Sequence, residues 1–335
     1  MTTRKALLLV NVGTPDRPEK RAVRNYLFQF LNDSRVIDIP WLSRKILVNL
    51  IIVPFRAGKS TKLYQKLWTD RGSPLLVYMN DLAGKLQERL GKHFEVWEAM
   101  RYGKPSLEKQ LENIRERGYD EVVIFPLFPQ YASSTTGSVV ERVMRITSRW
   151  NVIPAIRFVD QYYDAPAFID AFAQRIRSYH PENYDRVIFS YHGLPIRQIE
   201  KVHPQVSEPH CSCVKQMPEH GTHCYKATCY ETTRLLAKKL NLNDEKFLTT
   251  FQSRLSKNWL YPFTDETVKE LARQGTKKVL VVAPSFVTDC LETIIELGEE
   301  NREIFMENGG EVFDMVESLN ADERWADAIV KILGQ

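Results

Sequence analysis

Long apolar runs, charge of one sign and cysteine are all scarce in this 335-residue chain. No apolar stretch reaches the roughly 18 to 20 residues of a membrane-spanning helix, so a spanning segment is not expected. The formal net charge is only +4 and no run of five Lys or Arg occurs, which argues against nucleic acid as a partner. Glycine (15) and proline (17) are too few for a fibrous or low-complexity chain. Cysteine occurs five times, and in a chain this large that usage favours metal or catalytic chemistry over a disulfide framework.

At 43% hydrophobic and 26% charged, the chain reads as soluble and globular, long for one core and comfortable for two domains. The apolar stretch 6–12 is short and interrupted by Asn11, so it reads as a first strand and not as the core of a signal peptide. A cytoplasmic protein, or one attached peripherally to a membrane, is the expectation.

Short apolar runs alternate with amphipathic stretches along the whole length. Strands are expected at 6–12, 94–98, 121–125 and 153–158, then at 186–190, 247–251, 278–282 and 311–313. Helical patterns cover 105–117, 165–178, 231–239 and 265–274. Such alternation predicts an α/β fold with parallel sheets flanked by helices. The two halves echo each other. Val12-Gly-Thr-Pro15 ends the first strand of one half, and His192-Gly-Leu-Pro195 ends the first strand of the other. A duplicated unit is predicted, with domains over 1–158 and 159–317 and a C-terminal helix over 318–335 packing back on the first. Ligands of such folds bind outside the carboxyl ends of the strands, here expected in a cleft between the domains.

Segment 39–55 is apolar on nearly every side, with Arg44, Lys45, Arg56, Lys59 and Lys62 close by. It is either a buried core helix or an apolar lip that also touches an anionic membrane.

Four stretches carry chemistry. His192 lies just past a buried strand, where strand-end residues usually serve function. Glu292, Glu296 and Glu300 recur at every fourth position and line one face of an α-helix. They form either a solvated acidic stripe or a path for protons and a divalent cation. Ser133-Ser-Thr-Thr136 opens a helix, as caps or as a grip on an anionic group. Cys211, Cys213, Cys224 and Cys229 fall within nineteen positions, enough to close one tetrahedral metal site.

Taken in order, Leu9-Val-Asn-Val-Gly-Thr-Pro15, Arg101-Tyr102, Gln130-Tyr-Ala-Ser-Ser-Thr-Thr-Gly137, Ser190-Tyr-His-Gly-Leu-Pro195, Gln252-Ser-Arg254, Trp259-Leu-Tyr-Pro262 and Asp289-Cys-Leu-Glu-Thr293 resemble the ferrochelatase family through nearly the whole chain. The resemblance implies two similar Rossmann-like domains, a porphyrin held in the cleft, and ferrous iron as the inserted metal. His192 and Glu292 match the family's catalytic histidine and glutamate, with Glu296 and Glu300 continuing the acidic line. Porphyrin contacts would fall on Val12, Arg56, Tyr64, Ser73, Arg101, Tyr131 and Trp259, and an apolar lip on 27–31 and 41–55. Some bacterial members carry a 2Fe-2S cluster on four internal cysteines, which would here be Cys211, Cys213, Cys224 and Cys229. Structural zinc is the alternative, with His210, His220 and His223 nearby. Cys290 stands where many members have histidine, as a small buried residue or as a thiol at the metal.

The reaction so implied is formation of protohaem from protoporphyrin IX, with His192 as pyrrole proton acceptor or as iron ligand. Coproporphyrin metallation and cobalt insertion into a corrin precursor are the rival activities. A haem-binding or iron–sulfur regulator on the same scaffold is the non-enzymatic rival. Nothing in the sequence demands more than a monomer.

Overall fold

A computed structural model describes residues 3–334 except 204, 208 and 209. The chain forms two compact units. The first comprises 1–128, 132–161 and 321–335; the second comprises 129–131 and 162–320.

In the first unit, β1 (Lys5–Thr14), β2 (Phe94–Gly103), β3 (Glu121–Pro126) and β4 (Ala155–Phe158) form one parallel sheet in the order β2-β1-β3-β4. In the second, β5 (Arg186–His192), β6 (Phe247–Gln252), β7 (Lys278–Val282) and β8 (Val312–Met315) repeat that order as β6-β5-β7-β8. The duplication read from the sequence is thus a duplication of topology, strand for strand.

The central strands are buried on both faces, which explains why their sequences are continuous apolar runs. Ala6 through Val10 on β1 and Val187 through Tyr191 on β5 are sealed from solvent. Leu8, Ile124, Leu111 and Val143 meet on one side of the first sheet, and each such buried aliphatic contributes about 2 kcal/mol. Ile188, Val281, Val268 and Phe305 are the counterpart in the second.

The helices obey their local signals. Ser106 caps helix Leu107–Arg117 by accepting the Lys109 N–H at 3.3 Å, and Gly118 ends it in the left-handed region. Helix Tyr225–Leu240 starts six residues before the periodicity suggested, because its first turn carries Tyr, Lys, Ala, Thr and Cys in place of an obvious apolar stripe. Helix Glu323–Ile332 lies against helix Pro74–Leu90 in the first unit, held by Arg89 to Asp327 at 2.6 Å and by the Lys85 ammonium donating to the Ala321 carbonyl at 2.6 Å.

Segment 39–55 is not a core helix. It runs through helix Trp41–Ile46, a π-helical stretch Leu47–Ile52 and the start of helix Val53–Leu67. Val48 and Val53 turn inward, but Trp41, Leu50 and Phe55 are 64%, 67% and 83% exposed. The core reading fails because the helix has only one neighbour-facing side. Among the described residues no helix is long and apolar enough to cross a membrane.

Candidate active site

In an open parallel sheet the strand order reverses beside the first strand, and loops leaving there diverge to open a crevice. In the second unit that point lies between β5 and β7. His192 is the last residue of β5 and pairs in register with Gln252 at the end of β6. The turn after it is tightly built. The Gly193 N–H donates to the Gln252 carbonyl at 2.7 Å, and a Cβ on Gly193 would stand 2.8 Å from that oxygen and 3.4 Å from the Trp259 ring. The Leu260 N–H donates to the Leu194 carbonyl at 2.9 Å, so Trp259 is clamped beside the histidine turn.

The imidazole orientation is also fixed. His192 Nδ1 lies 2.7 Å from the Gly193 carbonyl oxygen. A carbonyl can only accept, so Nδ1 carries a proton and Nε2 is the nitrogen whose proton can come and go. Phe286, on the loop after β7, brings its ring centroid within 6.4 Å of the imidazole.

That same loop leads into the acidic helix. Asp289 anchors it: its carboxylate accepts from Thr293 Oγ1 (3.0 Å), the Ser318 N–H (3.2 Å) and Asn320 Nδ2 (2.7 Å), while its own N–H donates to Asn320 Oδ1 (2.8 Å). Residues Glu292–Glu300 then form a π-helix, not the α-helix the spacing predicts. Its wider turn keeps Glu292, Glu296 and Glu300 on neighbouring, gradually rotating positions; such segments recur at functional sites. Glu292 and Glu296 are half-buried and Glu300 is exposed, so the three step outward to solvent. Glu296 accepts a short hydrogen bond from Ser253 on the loop after β6. Cys290 is buried, and burial together with the neighbouring Glu292 carboxylate pushes its thiol well up, which keeps it protonated.

The first unit holds Val12, Arg56, Tyr64, Ser73 and Arg101. Val12 precedes Gly13 near the end of β1, two residues before Thr14, as His192 precedes Gly193 at the end of β5. Ser73 is buried and shares a 2.8 Å hydrogen bond with Thr14, tying helix Pro74–Leu90 to the end of β1. Tyr64 packs edge-on to Tyr26, and Arg56 is exposed. Arg101 is committed: its guanidinium donates to Asp33 Oδ2 at 2.6 Å and to Ser138 Oγ at 2.8 Å. Asp33, which carried no signal in the sequence beyond an acidic residue after a helix, is the hub of this cluster. Burial alone would raise its carboxyl, but the Arg35 N–H, Ser138, Tyr102 and the Arg101 charge together hold it below the usual value. Residues Ser133–Gly137 form another π-helix, following β3 as the acidic one follows β7. Tyr131 belongs to the second unit, its ring 6.1 Å from His223.

Cys213, Cys224 and Cys229 are fully buried and Cys211 is partly so. Burial pushes Cys213 up to about 12 and raises Cys224 and Cys229, and the thiols feel one another's charge. Opposing this, the buried Lys226 and the first amides of helix Tyr225–Leu240 favour the thiolate at Cys224. Two histidines join the group: His203 Nε2 is 3.2 Å from Cys224 Sγ, His220 Nε2 is 3.4 Å from Cys211 Sγ, and the two rings are 4.7 Å apart. Among the described residues no three His, Cys, Asp or Glu side chains stand in a metal-holding arrangement. Cys211, Cys213 and Cys224 feel one another's charge beside the buried Lys226, but in this arrangement the donors are not gathered around one metal position. His203 and the helix-opening Tyr225 carried no signal in the sequence, because only the cysteines and the histidines between and beside them (His210, His220 and His223) were weighed there.

A family model described as Ferrochelatase matches residues 4–335. The ferrochelatase of Coxiella burnetii (strain Dugway 5J108-111) is 43% identical over 335 residues, covering 97% of this chain and 92% of that protein. That of Legionella pneumophila (strain Lens) is 41% identical over 338 residues, covering 99% of both. Among solved structures, SirB from Bacillus subtilis with Fe3+ aligns at a TM-score of 0.55 and 12% identity over 99% of this chain and 95% of that one. The sirohydrochlorin chelatase SirB from Bacillus subtilis subspecies spizizenii in complex with cobalt aligns at 0.57 and 10% identity, over 99% and 94%. At such identity these structures speak for the fold.

Proposed function

This chain belongs to the ferrochelatase family, and from that membership we infer its reaction: ferrous iron enters protoporphyrin IX and two pyrrole protons leave. The observation that carries the assignment of roles is His192, held at the end of β5 with its proton on Nδ1.

Metallation requires a base for the pyrrole protons and a route for charge. With Nδ1 committed to the Gly193 carbonyl, the neutral form of His192 presents its lone pair at Nε2, suited to accept those protons. Glu292, Glu296 and Glu300 relay protons outward, or iron inward, along a path that grows wetter from first to last. Trp259 contacts the macrocycle beside the histidine, and Val12, Tyr64, Ser73 and Tyr131 contribute further contacts. Binding energy gathered on the ring periphery is available to bend the macrocycle and tilt its nitrogens toward the metal. Arg56, being exposed, is the better partner for a propionate, because Arg101 is already paired with Asp33.

The exposed apolar face of Trp41, Leu42, Leu50, Ile51 and Phe55 is assigned to peripheral membrane contact, with a cytoplasmic, monomeric enzyme behind it. Cys211, Cys213, Cys224 and Cys229 are the residues that would hold a 2Fe-2S cluster, with zinc as the alternative. When bound, such a cluster supplies a cross-link and one-electron redox chemistry; iron insertion, which has no net electron transfer, uses neither.

Anaerobic incubation with ferrous iron and protoporphyrin IX, followed by absorbance for haem, tests the reading. Haem formation that disappears in His192→Ala while porphyrin still binds is the expected result. Normal turnover in that variant would reject the histidine's role, and metallation of coproporphyrin alone would move the substrate. Freshly purified protein that is colourless and contains zinc would replace the cluster with zinc.

A further inference from the structure

One buried side chain beside the base is left without partners by the fold. Gln252 ends β6 and is 5% exposed, yet its amide nitrogen and its amide oxygen both lack a hydrogen-bond partner among the described residues. No other described residue has two such buried atoms. A buried amide without partners forfeits the bonds it made to water, so folds ordinarily supply them. The corresponding position of the first unit shows that the scaffold can. Arg101 lies between Met100 and Tyr102, which pair with Asn11 and Gly13 of β1, and its guanidinium is bonded to Asp33 and Ser138.

The backbone fixes where Gln252 stands. His192 and Gln252 are register partners on neighbouring parallel strands, and the Gly193 N–H donates to the Gln252 carbonyl at 2.7 Å. The turn is pinned as well by the Tyr225 hydroxyl, which donates to the His192 carbonyl at 3.0 Å. Register partners project to the same face of a parallel sheet. The two preceding pairs bear this out: Ser190 and Thr250 both hydrogen-bond to Thr264, and the Tyr191 and Phe251 rings lie 6.3 Å apart. Imidazole and carboxamide therefore leave the sheet side by side, on the Thr264 face, at the edge where ligands of this fold bind.

The amide lacks an acceptor for its N–H groups and a donor for its oxygen. The core of a free-base porphyrin offers both, in its two pyrrole N–H groups and its two nitrogens with free lone pairs. The metallated core offers neither, since all four nitrogens bind the ion and both protons have gone. We propose that Gln252 pairs with the nitrogen core of the unmetallated macrocycle beside His192 and loses that pairing when the metal enters, so that it favours substrate over product. An amide satisfied by the substrate and orphaned by the product weakens the hold on haem as the reaction ends. This inference rests on the reading of the substrate as a porphyrin and of His192 as the group that faces its core.

The test compares two probes, protoporphyrin IX and its copper(II) complex, on the full chain as wild type and as Gln252→Met, by quenching of tryptophan fluorescence. Methionine keeps the length of the side chain and removes both polar ends. The affinity ratio, free base over copper complex, should fall about fivefold in Gln252→Met, with an unfolding midpoint equal to or above that of the wild type. A merely structural glutamine would lower the midpoint and leave the ratio intact. Gln252→Leu repeats the measurement with a different apolar shape. Failure of both variants to fold would show that the amide holds the fold and would overturn the proposal. An unchanged ratio in a folded variant would overturn it while leaving the substrate assignment in place. Wild-type protein that binds neither probe would overturn the porphyrin reading, and this inference with it.

Discussion

The two units share one strand order, yet the same positions in each carry different chemistry. Near the end of the first strand, β1 offers Val12 and β5 offers His192, each followed by a glycine pressed against the backbone of the neighbouring strand. After the third strand, each unit makes a π-helix; the first is Ser-Ser-Thr-Thr-Gly and the second holds four glutamates. The first unit buries its charge in a closed Asp33–Arg101 pair, whereas the second leaves Glu292, Glu296 and Glu300 graded toward solvent. A duplicated scaffold thus fixes where groups stand, and side-chain identity alone decides what chemistry each position offers.

The largest expected break of that comparison is His192→Val, which gives the second unit the residue of the first. Loss of a positioned base should lower haem formation by about 10³-fold, with porphyrin binding retained by fluorescence quenching. The reciprocal Val12→His should not transfer activity, because the first unit has no graded acidic helix behind that position.

The paired glycines come next. A Cβ on Gly13 would overlap the Tyr102 carbonyl, and its φ of +124° is strained for any other residue. Gly193 has an ordinary φ and a 2.8 Å approach to the Gln252 oxygen. Gly13→Ala should therefore destabilise by about 4 kcal/mol and Gly193→Ala by about 1 to 2, measured by denaturant unfolding. Equal losses would mean that the two turns are mechanical equivalents and that the positive φ of Gly13 carries no extra cost.

Much of this was legible because the signals were backbone signals. Buried parallel strands write themselves as apolar runs, so all eight strands were found, with ends displaced by a few residues. The turn motifs exposed the duplication, and His192 with the acidic line stood out by position. Asp33, Asp289, His203 and Tyr225 did not, since each owes its role to partners far away in sequence: Asp33 to Arg101 and Ser138, Asp289 to Ser318 and Asn320. The π character of 292–300 was equally hidden, because an i, i+4 repeat of glutamates reads as α-helix until the Asp289 cluster at its start is known.

Asp33→Asn sharpens the contrast in charge. Removing the acid leaves the partly buried Arg101 without its counter-ion, for a loss of about 2 kcal/mol at neutral pH. Because the folded-state carboxyl is depressed, its contribution is complete above the ordinary carboxylate range and fades as pH falls through the lowered value. Acid titration of stability should therefore show a wild-type decline below about pH 4 that Asp33→Asn lacks in part. A variant with unchanged stability and an identical acid profile would make the pair ornamental.

The smallest effect is asked of the acidic line itself. If it is a relay, the cost of removing a carboxylate should fall from the half-buried end to the exposed one, since water substitutes for Glu300 and not for Glu292. Glu292→Gln should lower kcat by about 10²-fold, while Glu300→Gln should lower it only about twofold. A solvated stripe with no catalytic duty predicts no gradient at all: both variants would keep wild-type kcat and differ only in stability by a few tenths of a kcal/mol. Steady-state kinetics on the two variants under identical iron and porphyrin concentrations separates these cases, because the ratio between them, and not either value alone, reports whether charge moves along the helix.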